Sequence, residues 1–342
     1  MKNFYLIIFI FISIVISGCR SEIGILQNRS YKTISPTAID IMSVTLNPTK
    51  THVSNDKIIK TPEFPNNLYK YPSDILTLNQ IPVICNENYC VYDGHFILSR
   101  PISRFNNNLV DNSYRYGSTQ NGAREDHHGV EFNNPSGTLV RASADGTVEY
   151  AGNDDILNFS EFNEFYGNLV IVKHDQLIEK HTIYTVYAHL SEILVKTGQK
   201  VKTGQLIGKV GATGSAIGSH LHFEVRLDSN TYDATQNPEL WLDLNIIGSE
   251  EAKGALAISM NEEYALPNNE IIKIENIDED INYYEEAYSK DTPNTILWNE
   301  IFTRSNLDPG DYRITLYNNG DFFEEYVKIN SGCLTHLIID LQ

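Results

Sequence analysis

The chain has 342 residues, a hydrophobic content of 41% and a formal net charge of −18, from 26 basic and 44 acidic side chains. This length allows two domains and a linker, and the apolar content excludes wholesale disorder. The acidic balance excludes a nucleic-acid-binding protein, because such proteins need a basic footprint. The last hundred residues hold 20 acidic and 6 basic side chains, which predicts either a separate acidic module over 243–342 or simply a solvated surface.

The first residues are typical of an export signal. A basic residue precedes an apolar run, Phe4 to Ile16, that is shorter than the ~20 residues of a membrane-spanning helix. Small residues then precede Cys19, a pattern that resembles the bacterial lipobox, in which the cysteine thiol is acylated. The resemblance implies a lipoprotein signal peptide over 1–18, lipid attachment at Cys19 and an exported protein anchored in the bacterial cell envelope. A plain secretory signal and an uncleaved anchor are the alternatives.

Polar residues dominate the next segment, 19–80, which predicts a tether that holds the folded part off the membrane. Short strands are predicted in 81–111, an N-terminal extension packed on the core. Cys85 and Cys90 frame a turn-forming insert and could close a small loop in an oxidising compartment, whereas Cys333 has no obvious partner.

The rest of the chain is predicted to be mainly β. Runs rich in Val, Ile, Tyr and Thr are separated by Gly and Asp, and the glycines within 198–211 predict tight turns in a small barrel or sandwich. Runs that alternate at period two recur after residue 243 and predict a C-terminal β domain that loosely resembles a prealbumin-like sandwich.

Seven of the ten histidines fall between His127 and His222, which raises the question of a metal site. On a strand, His220 and His222 point to the same face. His127 and Glu131 stand four residues apart and could fold around one ion, and His189 follows a predicted strand. Each segment alone also has a simpler interpretation: a solvated strand face, a polar loop and a buried, hydrogen-bonded histidine.

Together the segments resemble the lysostaphin/LytM-type metallopeptidases over about 112–242. The order is His-x-x-x-acid, then Tyr-Ala-His-Leu, then His-Leu-His-Phe-Glu. Further matches are Gly146-Thr-Val, Tyr166-Gly-Asn168, Gly198-Gln-x-Val, Gly204-Gln-x-Ile-Gly and Gly211-Ala-Thr-Gly214. The resemblance implies a duplicated hybrid motif fold, a small antiparallel β-barrel or sandwich with peptidase activity.

The resemblance also implies roles for five side chains. His127, Glu131 and His222 match the family's Zn²⁺ ligands, and His189 and His220 match its two unliganded active-site histidines. The family usually has aspartate where Glu131 stands, so the longer side chain needs a shifted backbone or another rotamer. Two histidines and one carboxylate leave a fourth position open for water, as catalytic zinc requires.

The function that follows is a zinc metalloendopeptidase acting on peptidoglycan stem peptides or cross-bridges. One alternative is a catalytically degenerate module of the same fold that activates another cell-wall hydrolase. A lipoyl- or biotinyl-type carrier is disfavoured because no hairpin carries the required lysine motif. His128 is predicted to be a loop histidine, and His174 and His181 to flank a hairpin in structural or surface roles. A ligand of the C-terminal domain is left open.

Overall fold

A computed structural model describes residues 82–93, 95–155, 157, 159–178, 180–260, 270–293, 298–318 and 321–339. Apart from two 3-10 helices, Tyr232–Ala234 and Pro238–Leu240, the regular structure of these residues is β, which confirms the predicted fold class. The predicted signal peptide, the lipid-attachment residue Cys19 and the tether 19–80 lie outside the described residues. None of the helices found in the described ranges has the length and apolar character needed to cross a membrane.

Nineteen strands are present in the described ranges. They are β1 (Pro82–Cys85), β2 (Tyr89–Tyr92), β3 (Val130–Asn133), β4 (Leu139–Arg141), β5 (Gly146–Asn153), β6 (Asn168–Ile178), β7 (His181–Ala188), β8 (Leu190–Ile193), β9 (Lys200–Val201), β10 (Leu206–Val210), β11 (His220–Leu227), β12 (Thr235–Gln236), β13 (Gly254–Met260), β14 (Ile271–Asn276), β15 (Ile281–Glu286), β16 (Glu300–Leu307), β17 (Gly310–Asn318), β18 (Asp321–Ile329) and β19 (Leu334–Ile339).

The middle of the chain forms two antiparallel sheets, one ordered β12-β11-β7-β6-β5-β9 with β3 also paired to β11, and one ordered β4-β10-β8. Strand β11 is central to the site because it pairs with β3 and with β7. Its residues alternate: Leu221, Phe223 and Val225 are fully buried in the hydrophobic core. The intervening histidines therefore face the opposite side of the sheet, as period two predicts.

A β-sandwich follows in the chain. The sheet β1-β2-β19-β13-β16 packs on the sheet β15-β14-β17-β18. Leu256, Ile272, Ile314 and Leu337, from strands of both sheets, share one buried apolar cluster. The alternating runs after residue 243 thus form a sandwich, because each buries its apolar face against the other sheet.

The predicted N-terminal extension has two destinations. Strand β2 pairs with β19, so residues 82–92 complete the C-terminal sheet. Leu98 and Ile102 bridge to Leu242 and Val140 and pack on the core beneath the site, in the same apolar cluster as Cys90 and Tyr92 of β2. All described residues belong to one compact unit, and the predicted domain bounds stay predictions.

The two cysteines for which the sequence left pairing open form a disulfide. Cys85 and Cys90 stand opposite each other in the β1–β2 hairpin and are bonded. Asn86 closes the turn, since its side-chain oxygen accepts hydrogen bonds from the amides of Asn88 and Tyr89 at 2.9 and 2.7 Å. Cys333 is a free, half-buried thiol.

Candidate metal centre

Strand pairing brings the predicted ligands together. His222 on β11 lies opposite Glu131 on β3 and opposite Ala188 at the end of β7. His189 follows Ala188 directly, and His220 lies two residues before His222 on the same face of β11. One sheet face therefore presents four of the five predicted side chains, and His127 approaches from the loop before β3.

Three donor atoms converge at this point. The distances are 3.1 Å from His127 Nε2 to Glu131 Oε1, 3.2 Å from Glu131 Oε1 to His222 Nδ1, and 3.2 Å between the two histidine nitrogens. A tetrahedral zinc with bonds of 2.0–2.2 Å needs ligand atoms about 3.4 Å apart. The described residues hold one group with metal-binding spacing, and it is this one. The donor set and its separations therefore fit a divalent metal.

Hydrogen bonds fix which nitrogen each ring presents. His127 Nδ1 donates to the carbonyl oxygen of Tyr114 at 2.9 Å, and its ring stacks on the Tyr114 ring at 4.0 Å. His222 Nε2 donates to Glu224 Oε1 at 3.0 Å. The nitrogens left with lone pairs, His127 Nε2 and His222 Nδ1, are those that face the centre. Gly129 makes room for this, because a Cβ there would lie 2.7 Å from Cε1 of the His222 ring.

A buried ionic network stands behind His222. Glu224 and Arg226 are both fully buried, and Glu224 Oε2 accepts a hydrogen bond from Arg226 Nε at 2.8 Å. Tyr166 donates its hydroxyl to Glu224 Oε1 at 2.5 Å. Burial raises the pKa of Glu224, but Arg226 and His222 outweigh it and lower that pKa to about 2. The result is an ionised carboxylate that orients a proposed ligand.

This network was not among the features predicted from the sequence. Glu224 and Arg226 follow His222 at period two, so the signal was present: three polar side chains in succession on one strand face. A solvated strand face gives the same pattern, and Tyr166 is 56 residues away from His222 in the chain.

Glu131 contacts a third histidine besides His127 and His222. Its second oxygen, Oε2, lies 2.7 Å from His220 Nε2. Burial raises the pKa of Glu131, but the surrounding imidazoles of His127, His220 and His222 hold it well below its usual range. The carboxylate of Glu131 thus contacts His127, His222 and His220.

His189 and His220 lie beside the three donor atoms, with their ring centres 4.8 Å apart. His189 is nearly buried and adopts a left-handed backbone with φ of 59°. Its Nδ1 donates to the Thr213 carbonyl at 2.9 Å, which leaves the Nε2 lone pair unused by that bond. Burial, and then the electrostatic effect of the neighbouring His222 and His220 rings, lower the pKa of His189 to about 3.

The centre lies in a groove with a cavity volume of about 410 Å³. Tyr114 and Tyr232 contribute to its lining, as do the exposed Phe162 and Ile217. His128 also reaches the lining, but its ring stacks on Tyr232 at 3.8 Å.

The three remaining histidines of the cluster do not point at the three donor atoms. His128 Nε2 is 3.1 Å from Asp126 Oδ2, so it stabilises the groove lining next to the donor group. His174 and His181 lie at the β6–β7 hairpin, as predicted. His174 bonds to the Thr185 hydroxyl at 2.7 Å, and His181 pairs with Asp228 at 2.5 Å.

Comparison with known proteins agrees with this geometry. The model of Peptidase family M23 matches residues 125–234. The peptidoglycan DD-endopeptidase ShyC of Vibrio cholerae is 42% identical over 98 residues, which cover 29% of this chain and 19% of that protein. The DD-carboxypeptidase/endopeptidase Mpg of Neisseria meningitidis is 37% identical over 118 residues, 33% of this chain and 24% of that protein.

A solved structure, the catalytic domain of the antimicrobial peptidase lysostaphin from Staphylococcus simulans, is 29% identical. The similarity covers 38% of this chain and 88% of that domain, with a TM-score of 0.31. The chain spans about a fifth to a quarter of the length of the curated relatives named above. The M23 family model matches residues 125–234, the part of the chain that contains the five converging side chains, and ShyC and Mpg are similar to 29% and 33% of this chain.

Proposed function

We propose that this chain is a zinc-dependent metalloendopeptidase that hydrolyses peptide bonds of peptidoglycan stem peptides or cross-bridges. The observation that carries the proposal is the convergence of His127 Nε2, Glu131 Oε1 and His222 Nδ1 at 3.1–3.2 Å beside two further histidines. Structural zinc sites use four protein ligands, whereas three ligands in an open groove are typical of catalytic zinc.

His127, Glu131 and His222 would hold the metal, which supplies a Lewis acid and lowers the pKa of a bound water. The Nε2 lone pair of His189 is available to accept a proton from the attacking water, because Nδ1 is engaged by the Thr213 carbonyl. His220 lies beside it and offers an N–H for the developing oxyanion or a proton for the leaving amine. Glu131 holds His220 in place through the 2.7 Å contact.

The proposed substrate follows from the relatives and the groove. ShyC is a peptidoglycan DD-endopeptidase and Mpg a DD-carboxypeptidase/endopeptidase, and both are similar to part of this chain. The M23 family model matches residues 125–234, which contain the donor group. A groove open to solvent admits an extended peptide. An exported chain, lipid-anchored through Cys19 in the bacterial cell envelope, would encounter this polymer.

A degenerate module that activates another hydrolase is the second candidate. The observation that favours it is Glu131, because its Oε2 contacts His220, a proposed catalytic group. Zinc content and turnover distinguish the two candidates, since a degenerate module would not hydrolyse wall peptides.

The test combines metal analysis with digestion of purified peptidoglycan by the purified chain. We expect about one zinc per chain, release of new amino groups, and loss of turnover with retained zinc in His189→Ala and His220→Ala. His181→Ala, at the surface hairpin, is the matched control and should keep full activity. Zinc binding without hydrolysis would favour the degenerate module, and full zinc occupancy in His222→Ala would refute the ligand assignment.

A further inference from the structure

The loop before β3, residues 112–126 and here called the wall loop, forms one side of the groove. Tyr114, Arg124 and Asp126 line the cavity from this loop. The loop also carries the backbone of His127: the Gly117 amide donates to the His127 carbonyl at 2.8 Å, and the His127 amide donates to the Ser118 carbonyl at 3.1 Å. A displacement of the wall loop therefore displaces both the groove lining and the first proposed ligand.

The turn in the wall loop has an unusual backbone. Gln120 and Asn121 are left-handed, with φ of 50° and 57°. For residues other than glycine this conformation is strained and persists only where the surrounding structure holds it. Consecutive amides in such a turn form an anion-binding concavity.

A carboxylate of the C-terminal sandwich fills this concavity. Glu286, the last residue of β15, accepts hydrogen bonds from the Thr119 amide at 3.1 Å and from the Asn121 amide at 2.5 Å. The Ser118 hydroxyl donates to the same carboxylate. Three donors from one turn thus converge on a side chain that is more than 160 residues away in sequence.

The residues after Glu286 fix the neighbouring part of the loop. The Tyr288 ring lies against Gly117 so closely that a Cβ there would be 2.5 Å from it. The Ser289 amide donates to the Gly117 carbonyl at 3.2 Å, and the Tyr116 hydroxyl donates to the Pro293 carbonyl at 2.6 Å. The contact between the wall loop and the sandwich is therefore continuous from residue 116 to 121.

We propose that the C-terminal sandwich is a structural part of the hydrolytic site, with Glu286 as a positioning residue that holds the wall loop and, through it, His127. Its role in zinc binding and turnover rests on the proposed function. Its role in holding the loop does not.

The test compares Glu286→Ala and Glu286→Gln in the full chain with Glu279→Ala. Glu279 lies in the exposed β14–β15 turn, so Glu279→Ala removes an equal charge from the same sandwich. Alanine deletes both acceptor oxygens, whereas glutamine keeps one. We therefore expect the wild-type chain to hold the wall loop most firmly, Glu286→Gln less firmly and Glu286→Ala least firmly.

The first measurement is hydrogen–deuterium exchange of the peptide that spans residues 118–127. We expect faster exchange in Glu286→Ala, confined to this peptide, and unchanged exchange in Glu279→Ala. The second is a chelator-competition titration with zinc, in which Glu286→Ala should bind about 10-fold more weakly. If hydrolysis is observed, KM should rise and kcat/KM should fall about 10-fold, since a displaced wall loop weakens peptide binding.

Unchanged exchange and zinc affinity in Glu286→Ala would overturn the proposal. If Glu286→Ala does not fold, Ser118→Ala removes one donor from the loop side and should produce a smaller increase in exchange over the same peptide. A folded Ser118→Ala variant with wild-type exchange would then be the contradicting result. Absence of hydrolysis in the wild-type chain would count against the proposed function alone, because exchange and zinc affinity still report on the loop.

Discussion

Glu224→Gln tests how much the buried network contributes to metal binding. Glu224 accepts the hydrogen bond from His222 Nε2 at 3.0 Å and so leaves Nδ1 as the nitrogen that faces the centre. Glutamine has nearly the same shape but no charge. If its NH₂ faces His222, the proton moves to Nδ1 and occupies the position needed for the metal. Loss of such a partner costs 10–100-fold in metal affinity, or about 1.4–2.7 kcal/mol.

The same substitution leaves Arg226 buried without its carboxylate. Both side chains are fully buried, so solvent does not screen the loss, and breaking a buried pair costs about 3–5 kcal/mol of unfolding free energy. Arg226 keeps hydrogen bonds to the Tyr166 hydroxyl at 2.8 Å and to the Phe159 carbonyl at 3.0 Å, which places the expected cost at the lower end of that range.

Two assays separate these effects. Chelator competition measures zinc affinity, and urea unfolding of the metal-free chain measures stability. The double variant Glu224→Gln with Arg226→Met should regain much of the stability and none of the zinc affinity. Glu324→Gln, in the exposed pair with Arg313, is the control and should change neither quantity. Wild-type zinc affinity in folded Glu224→Gln would refute the orienting role of this carboxylate.

The remaining predictions concern three sites. Glu131→Asp should retain zinc, because both side chains offer a carboxylate. The shorter side chain should lose the contact with His220, so the pH profile of hydrolysis should shift. Unchanged zinc affinity in Glu131→Ala would show that Glu131 is not a ligand. Cys19→Ser should release the chain from membranes or block its processing, as membrane fractionation and N-terminal sequencing would show; a wild-type chain found wholly in the soluble fraction would contradict the lipobox. Burial lowers the pKa of His95 to about 4 from its usual 6.5. As the pH is lowered, His95 therefore takes up a proton below about pH 6.5 in the unfolded chain but only near pH 4 in the folded chain. The free energy of unfolding falls as the pH is lowered through that window. His95→Phe should reduce this fall by at most about 1.4 kcal/mol per pH unit in denaturant titrations at pH 7 and 5.

Local pattern was sufficient to predict much of the site. The common face of His220 and His222 follows from strand periodicity, and the structure places both beside Glu131. The spacing of His127 and Glu131 also translates directly into proximity, because only four residues separate them. The sequence alone could not predict the second contact of Glu131, which depends on the depth at which the longer side chain enters the centre.

Long-range contacts were not predictable in the same way. Glu286 lies on an alternating strand, and nothing in its surroundings indicates that it binds a turn near residue 120. The pairing of β2 with β19 likewise leaves no local signal, since any strand with suitable alternation can occupy a sheet edge. Cys90 and Tyr92 of β2 share the apolar cluster of Leu98 and Ile102, so the same short strand both packs on this core and pairs with β19.

The pairing of β2 with β19 has a consequence for the order of folding. Tyr92 lies opposite Leu334, so the central pairing of the five-stranded sheet joins residues more than 240 positions apart. A chain that is synthesised from its N-terminus cannot close this sheet until β19 is available, and such distant contacts slow folding because loop closure precedes their stabilisation. The Cys85–Cys90 bond reduces the conformational entropy that is lost at that step, since it holds the β1–β2 hairpin together before β19 is available.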